Sequence, residues 1–327
     1  MKLEIVYPTY NGATAVNNII ESFITSKHHK NCLLSIHDSS PNDETKDVVA
    51  LFLEKGLVDE ANLRYFRYDA NINVDDKTLI AIKKAEAEYA YLIGDGWLTN
   101  LDYIFDSNIL MKNDDVICVY NENIDLYRKH YQKNMQQLAS INNRDEFYKF
   151  NYWYLILYSS SIISQKVVSR INQHDMILKF AGYGFIYPTA IVYATDKSFK
   201  FSIYLGPIAY QNNAKKISGW VKNKEALKIW CKHLVLTLET IPNEIMSEDV
   251  KEHIIQTTGK RTRILTLSSL FRFKLSDNFT WKLYKKYKYY FKMTKGCSIL
   301  GTYLILLFPS CILKSIRNIK KFLRKKV

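Results

Sequence analysis

The sequence predicts an α/β protein built on a mostly parallel sheet with helices on both faces. Short apolar runs recur through the first 120 residues, and segments of helical periodicity separate them. Runs that are apolar throughout, rather than alternating, mark strands buried on both faces, as in parallel sheets. No period of about 20–50 residues repeats, which excludes solenoids and propellers. At 327 residues, 47% hydrophobic and 24% charged, the chain can bury a substantial core. Only 11 glycines and 6 prolines exclude collagen-like and low-complexity classes.

Each element follows in order. Residues 3–7 (LEIVY) read as a buried strand ending at Pro8, and Pro8-Thr9-Tyr10-Asn11-Gly12 as a turn. Val16, Ile19, Ile20, Phe23 and Ile24 then mark one face of a helix over 14–27. Residues 32–37 (CLLSIH) form a second strand, Asp38 to Asp43 a turn, and 44–55 a helix. A third strand at 63–68 (LRYFRY) precedes a helix at about 76–87. A fourth, at 89–93 (YAYLI), runs into Gly94-Asp95-Gly96, and 116–120 (VICVY) is the fifth. In such sheets ligands bind beyond the carboxyl ends of the strands. The polar turns Thr9–Asn11, Asp38–Asp43 and Gly94–Gly96 all belong at that edge, so a site is expected there.

Beyond residue 120 the pattern weakens. Helical stretches are expected near 126–140 and 223–240, with mixed strand and loop over 155–210 and turns at Gly182, Gly184 and Gly206. The aromatic run 147–158 (FYKFNYWYLILY) reads as core, with acceptor stacking as its alternative use. No linker-like composition interrupts the chain before about 260. The expected organisation is therefore a main domain over 1–260, halved at 120/121, and a distinct segment over 261–327.

That last segment stands out by charge. Lys260 to Val327 holds 13 lysines and 5 arginines against the single acid Asp277, a net +17, whereas the first 259 residues carry −3. Such asymmetry points to a polyanionic surface as partner. Residues 270–295 interleave aromatic with basic side chains, 297–313 are apolar, and 314–327 are basic again. The apolar stretch contains Pro309 and falls short of the roughly 20 residues of a spanning helix. Basic flanks suit a segment lying in one leaflet. A monotopic anchor to an anionic membrane is the expected role. A true span and an ordinary helical subdomain with a solvated basic face are the alternatives, and nucleic acid is not an expected partner.

The five cysteines are scattered, with no C-x-x-C spacing, so neither a disulfide framework nor a zinc site is expected. The N-terminus has no apolar signal-peptide core. Nucleophile-elbow, phosphate-loop and dinucleotide-binding glycine motifs are all absent.

Three blocks carry a family resemblance. IVYPTYNG resembles the opening of family-2 glycosyltransferases of the GT-A fold, the type found in bacterial polysaccharide biosynthesis. SIHDSSPNDETKDVV is similar to that family's second block, in which an Asp ends a strand and a polar turn leads into a helix. Asn71 through KKAEAEYAYLIGDGWL resembles the third, an Asn, a helix, an apolar strand and an acidic motif. The resemblance covers about residues 1–120. It implies that Pro8, Thr9, Tyr10, Asn11, Asp38, Ser40, Asn71, Gly94, Asp95 and Gly96 bind a nucleotide-sugar donor, with Asp38 on the base. It also implies a divalent cation, Mn²⁺ or Mg²⁺, held by an acidic pair beside the diphosphate. Here Ile93 takes the place of the first acid, so only Asp95 remains as metal ligand. Metal-independent diphosphate contact and a plain turn role are its other readings. The family's catalytic base falls where this sequence has Asp175, with Asp196 a second candidate; His174 is expected to be structural.

The expected activity is inverting transfer of a hexosyl or N-acetylhexosaminyl group, UDP-sugar favoured, to a lipid-linked or membrane-proximal glycan. This would take place at the cytoplasmic face of the cell membrane, in surface polysaccharide assembly. The alternatives are a catalytically silent module of the same fold that scaffolds a glycan-synthesis complex and, less favoured, a nucleotidyltransferase.

Overall fold

The computed structural model describes residues 1–121, 138–173, 185–214 and 224–310, with 312 and 315. An eight-stranded sheet runs in the order β3-β2-β1-β4-β8-β6-β9-β7. Its strands are β1 (Leu3–Thr9), β2 (Cys32–Asp38), β3 (Leu63–Arg67), β4 (Tyr89–Leu92), β6 (Val116–Tyr120), β7 (Leu138–Ile141), β8 (Ser161–Ser164) and β9 (Phe201–Leu205). β3, β2, β1 and β4 are parallel. β8 is antiparallel to both β4 and β6, and β7 is antiparallel to β9. β6 and β9 are parallel to each other and therefore run with β1. A small antiparallel ribbon pairs β5 (Trp97–Thr99) with β10 (Ala209–Gln211).

Every residue of β1, β2, β4 and β6 is buried, as continuous apolar runs require. Helices α1 (Ala13–Ile24), α2 (Glu44–Glu54) and α3 (Val74–Lys83) connect the parallel strands. α1 buries Val16, Ile19, Ile20 and Phe23, the face its spacing marks. α3 starts two residues earlier than its periodicity suggests, because the Asn73 side chain accepts the Asp75 N–H and caps it. The helix α4 (Leu101–Asp106) is capped the same way by Asn100. One apolar cluster runs from Leu3, Ile5 and Tyr7 through Ile36, Tyr91 and Ile93 to Ile162 and Tyr204.

The later region corrects the sequence reading in places. Of the helix expected near 126–140, only the last positions are described, and they belong to a strand, β7 (Leu138–Ile141); 122–137 lie outside the described residues. The 147–158 aromatic run lies largely in α5 (Arg144–Leu155), which buries Phe147, Tyr148, Tyr152, Trp153 and Tyr154. It is core, as read. α6 (Gln165–Gln173) and α7 (Ile186–Ala194) follow.

The chain clusters into two units, 1–179 with 183–217, and 180–182 with 218–327. The second begins with a π-helical stretch (Lys228–His233) that runs on as α8 (Leu234–Thr240), within the helical stretch expected over 223–240. α9 (Glu248–Arg261), α10 (Leu267–Leu275), α11 (Trp281–Met293) and α12 (Ile299–Leu307) complete it. The 260/261 boundary drawn from charge falls in the last turn of α9. The basic segment beyond it packs on the helices before it. A Cβ built on Gly259 would stand 2.6 Å from the Gly296 Cα. Leu270, Phe273 and Phe279 are buried with Trp230 and Cys231. Among the described residues no helix is long and apolar enough to cross a membrane.

Candidate functional site

The parallel register sets Thr9, Asp38 and Arg67 side by side at the carboxyl ends of β1, β2 and β3. Asp38 is fully buried. One carboxylate oxygen accepts from the Ser40 N–H at 2.8 Å and from the Ser40 hydroxyl. The other accepts from the Tyr65 hydroxyl at 2.8 Å and Arg67 Nη1 at 3.0 Å. A carboxylate has about four acceptor positions, so the chain's own donors fill them. A base contact by Asp38 would need Tyr65 or Arg67 to yield. Burial, with Asp38 nearby, pushes the Tyr65 phenol up to about 12, so it stays a donor. Tyr65 and Arg67 were not among the expected site residues. Their alternation in LRYFRY, two apart on one face, is the signal that could have found them.

Two further contacts tie the first two turns together. The Ser40 hydroxyl accepts the Asn11 N–H at 2.8 Å, where Asn11 takes a left-handed φ of 50°. Lys77, buried on α3, donates to the Thr9 carbonyl at 2.6 Å and the Ser39 hydroxyl at 2.7 Å. A cation therefore stands between the ends of β1 and β2. Nothing in the sequence pattern singles out Lys77, because its two acceptors lie on strands remote in the chain.

The acidic turn comes up beside them. Trp97 N–H donates to the Gly94 carbonyl at 2.9 Å, closing a turn that carries Asp95. A Cβ on Gly12 would stand 3.7 Å from an Asp95 carboxylate oxygen and 2.0 Å from the Thr9 hydroxyl. Gly12 is thus glycine because a Cβ would collide with the Thr9 hydroxyl, while the Asp95 oxygen lies at ordinary contact distance. Gly94 is glycine because the Tyr158 ring lies 2.9 Å from where its Cβ would be. Tyr158 bonds Thr78 at 2.5 Å. Its phenol is pushed up to about 12 by burial, then by Asp75 and Asp95, and is therefore neutral. Behind the turn, the buried Asn212 donates its N–H to the Gly96 carbonyl at 2.8 Å and its side-chain amide to the Ala15 carbonyl at 3.1 Å. This fixes the acidic turn to α1.

The expected residues divide as follows. Thr9, Asn11, Ser40, Asp38, Gly94, Asp95 and Gly96 converge at one edge. Pro8 is buried within β1, paired with His37, and Tyr10 is exposed at the rim. Asn71 sits in the turn after β3, its N–H donated to the Asp69 carboxylate at 2.7 Å. Asp175 and His174 lie outside the described residues. Asp196 precedes β9 and so sits at the opposite, amino-terminal edge of the sheet. There Ser198 and then Arg170 hold its carboxyl below the usual range. That removes it as a base for this site. A cavity of about 560 Å³ lined by Met1, Lys2, His28, Glu88 and Phe105 likewise belongs to the amino-terminal edge, and its Lys2 and Glu88 pair with each other at 2.5 Å.

Among the described residues, no group of three or more His, Cys, Asp or Glu could hold a metal. Ile93, where a first acid would stand, is fully buried in the core cluster. The Thr9 hydroxyl is buried and has no hydrogen-bond partner among the described residues. With Asp95 it makes an all-oxygen donor pair with one carboxylate. Such a pair fits a hard divalent cation that keeps water and takes the rest of its shell from a phosphorylated ligand.

No family model matches the chain, and no curated protein matches it. Solved structures do. The chain shares its fold with S. aureus TarS 1–349, at 13% identity and TM-score 0.52 over 97% of this chain and 92% of that one. It shares it also with the mannosyltransferase PcManGT from Pyrobaculum calidifontis, solved with GDP-Man and Mn²⁺. That match is 10% identical with TM-score 0.51, over 94% and 87% of the two chains.

Proposed function

We propose that the chain is an inverting glycosyltransferase that moves a sugar from a nucleotide-sugar donor to a lipid-linked or membrane-proximal glycan. One observation carries the reading. The Asp95 carboxylate and the Thr9 hydroxyl, which has no hydrogen-bond partner among the described residues, converge at the carboxyl edge of the parallel strands, on a fold shared with a mannosyltransferase that holds GDP-Man and Mn²⁺. In this reading Tyr10 covers the nucleobase at the rim, and Asp95 and Thr9 face the diphosphate, directly or through a divalent ion. Such an ion, when bound, neutralises the charge that builds on the departing diphosphate. The acceptor hydroxyl oxygen bonds to the anomeric carbon as the bond to the diphosphate breaks. Asp175 is the proposed base that takes the hydroxyl proton. A UDP-sugar is the favoured donor from the resemblance. The proposed setting is the cytoplasmic face of a bacterial membrane, in surface polysaccharide assembly.

A second reading is favoured by Ile93. With a core side chain in place of one acid, the module could bind donor without turnover and act as a scaffold. Calorimetric titration of UDP, GDP, CDP and TDP, with Mn²⁺ and then with EDTA, separates the cases. Metal-dependent binding of one nucleotide supports the transferase and names the base. Binding that persists in EDTA keeps the donor site and removes the ion. Absence of binding by all four overturns the donor site.

A further inference from the structure

We infer that α12 and the lysine-lined cavity beside it form a docking site for an anionic bilayer, the helix lying in one leaflet and a lipid phosphate sitting among the lysines. The inference specifies the membrane-proximal part of the proposed function and does not depend on the nucleotide chemistry.

α12 (ILGTYLILL) is apolar all round, yet only one side of it is covered. Gly301, Thr302, Ile305 and Leu306 are buried. Leu300, Leu304 and Leu307, spaced by four and three, share the other face and are 72%, 49% and 66% exposed. Ile299, Phe308 and Ile312 extend this patch, and Leu267 of α10 adds to it. Between α10 and α12 lies an apolar groove of about 380 Å³, reaching from Leu267 and Phe271 to Leu304 and Phe308. Scattered exposed leucines are ordinary, but a grouped set of this size marks an interaction surface.

On another side of the same helix a cavity of about 520 Å³ is lined by Lys260, Lys292 and Lys295, with Ser298, Ile299 and Thr302 from the start of α12. Among the described residues no carboxylate lines it. Trp281 and Tyr303 pack with ring centres 5.5 Å apart, the pair coming from α11 and α12. Trp and Tyr favour the level of lipid headgroups.

Charge chooses the occupant. The segment from Lys260 onward carries 18 basic residues against Asp277. A second copy would bring the same positive charge to the same face. Nucleic acid would match the charge but leave the leucines in water. An anionic bilayer satisfies both at once, phosphates on the lysines and acyl chains on the leucines. Nine residues of helix rise roughly 14 Å, half the hydrocarbon thickness of a bilayer, so α12 lies in the interface and does not cross it.

The test is co-sedimentation of the full-length protein with vesicles of phosphatidylcholine alone or with added phosphatidylglycerol, over a salt series. Binding is expected to anionic vesicles, weakening as salt rises. Leu300→Asp with Leu304→Asp and Leu307→Asp should cut partitioning roughly tenfold or more, since each buried apolar side chain contributes to it. Lys260→Gln with Lys292→Gln and Lys295→Gln should lose most of the preference for anionic vesicles. Brominated lipids should quench the unsubstituted protein's fluorescence, and Trp281→Phe should reduce that quenching. This readout stands even if a triple variant fails to fold. Equal binding to neutral and anionic vesicles, leucine variants that bind as wild type, or a dimer by light scattering that the leucine variants dissolve would each overturn the inference. Displacement by millimolar inorganic phosphate would assign the lysines to a free anion and overturn the lipid source. Nucleotide titration of the same variants should be unchanged, so failure here is distinct from failure of the donor site.

Discussion

Asp38 accepts four hydrogen bonds, two from Ser40 and one each from Tyr65 and Arg67, whereas Asp95 sits half-buried in the turn that the Trp97 N–H closes on the Gly94 carbonyl. Asp95→Asn keeps the turn and removes the charge. It should weaken Mn²⁺-dependent nucleotide binding about tenfold or more, the size expected when a metal site loses support, and leave the thermal midpoint nearly unchanged. Calorimetry and a melting curve on one sample check both. Lys77 acts differently. Lys77→Met removes the ammonium, takes the Lys77 donor from the Ser39 hydroxyl and leaves the Thr9 carbonyl with only the longer bond from the Ser39 N–H at 3.3 Å. The expected loss is about 1–3 kcal/mol of stability in urea unfolding, from the two charge-assisted hydrogen bonds removed. Weaker nucleotide binding should accompany it, because both turns of the slot lose their tether.

The strands were legible because each is a short apolar run bounded by turn residues, and burial on both faces is written in every position. β1, β2 and β6 match their expected cores closely. β7 was not legible, because LASI is short and its pairing with β9 comes from 60 residues away. β2 also carries a pH device. His37 is fully buried, bonds Tyr68 at 2.9 Å through Nδ1 and stacks on Phe66. Burial, then Lys84 and Lys77, lowers its pKa from 6.5 to about 3. The folded strand therefore holds it neutral while the unfolded chain protonates it below 6.5. Its contribution is complete above that pH and is lost as pH falls toward 3. The slope is up to about 1.4 kcal/mol per pH unit. His37→Asn should flatten the fall in stability between pH 6 and about 4 by close to one proton. Chemical denaturation at several pH values measures it.

The whole chain divides at a place that charge does not mark. The helices before residue 261 and those after it bury one another through Gly259 and Gly296, and Thr294 bonds the Cys231 thiol. Deleting 264–327 should therefore expose Trp230 and Cys231 and give an aggregating product. A chain ending at 217 should stay soluble and retain nucleotide binding. Size-exclusion chromatography with calorimetry on the two truncations decides it; a monodisperse, folded 1–263 would contradict the packing.

The sequence by itself determined the parallel strands, the three polar turns at their carboxyl ends, and the basic, apolar C-terminal segment. Each of these is written in local periodicity, turn chemistry or charge, which need no partner to be read. Only the tertiary structure decided that Asp38 is saturated, because Tyr65 and Arg67 reach it from a neighbouring strand. It alone brought Tyr158 against Gly94, 64 positions apart, and Asn212 against Ala15. It also left Leu300, Leu304 and Leu307 outside while burying Ile305 and Leu306. In a helix apolar on every side, periodicity carries no information, and packing alone chooses the face.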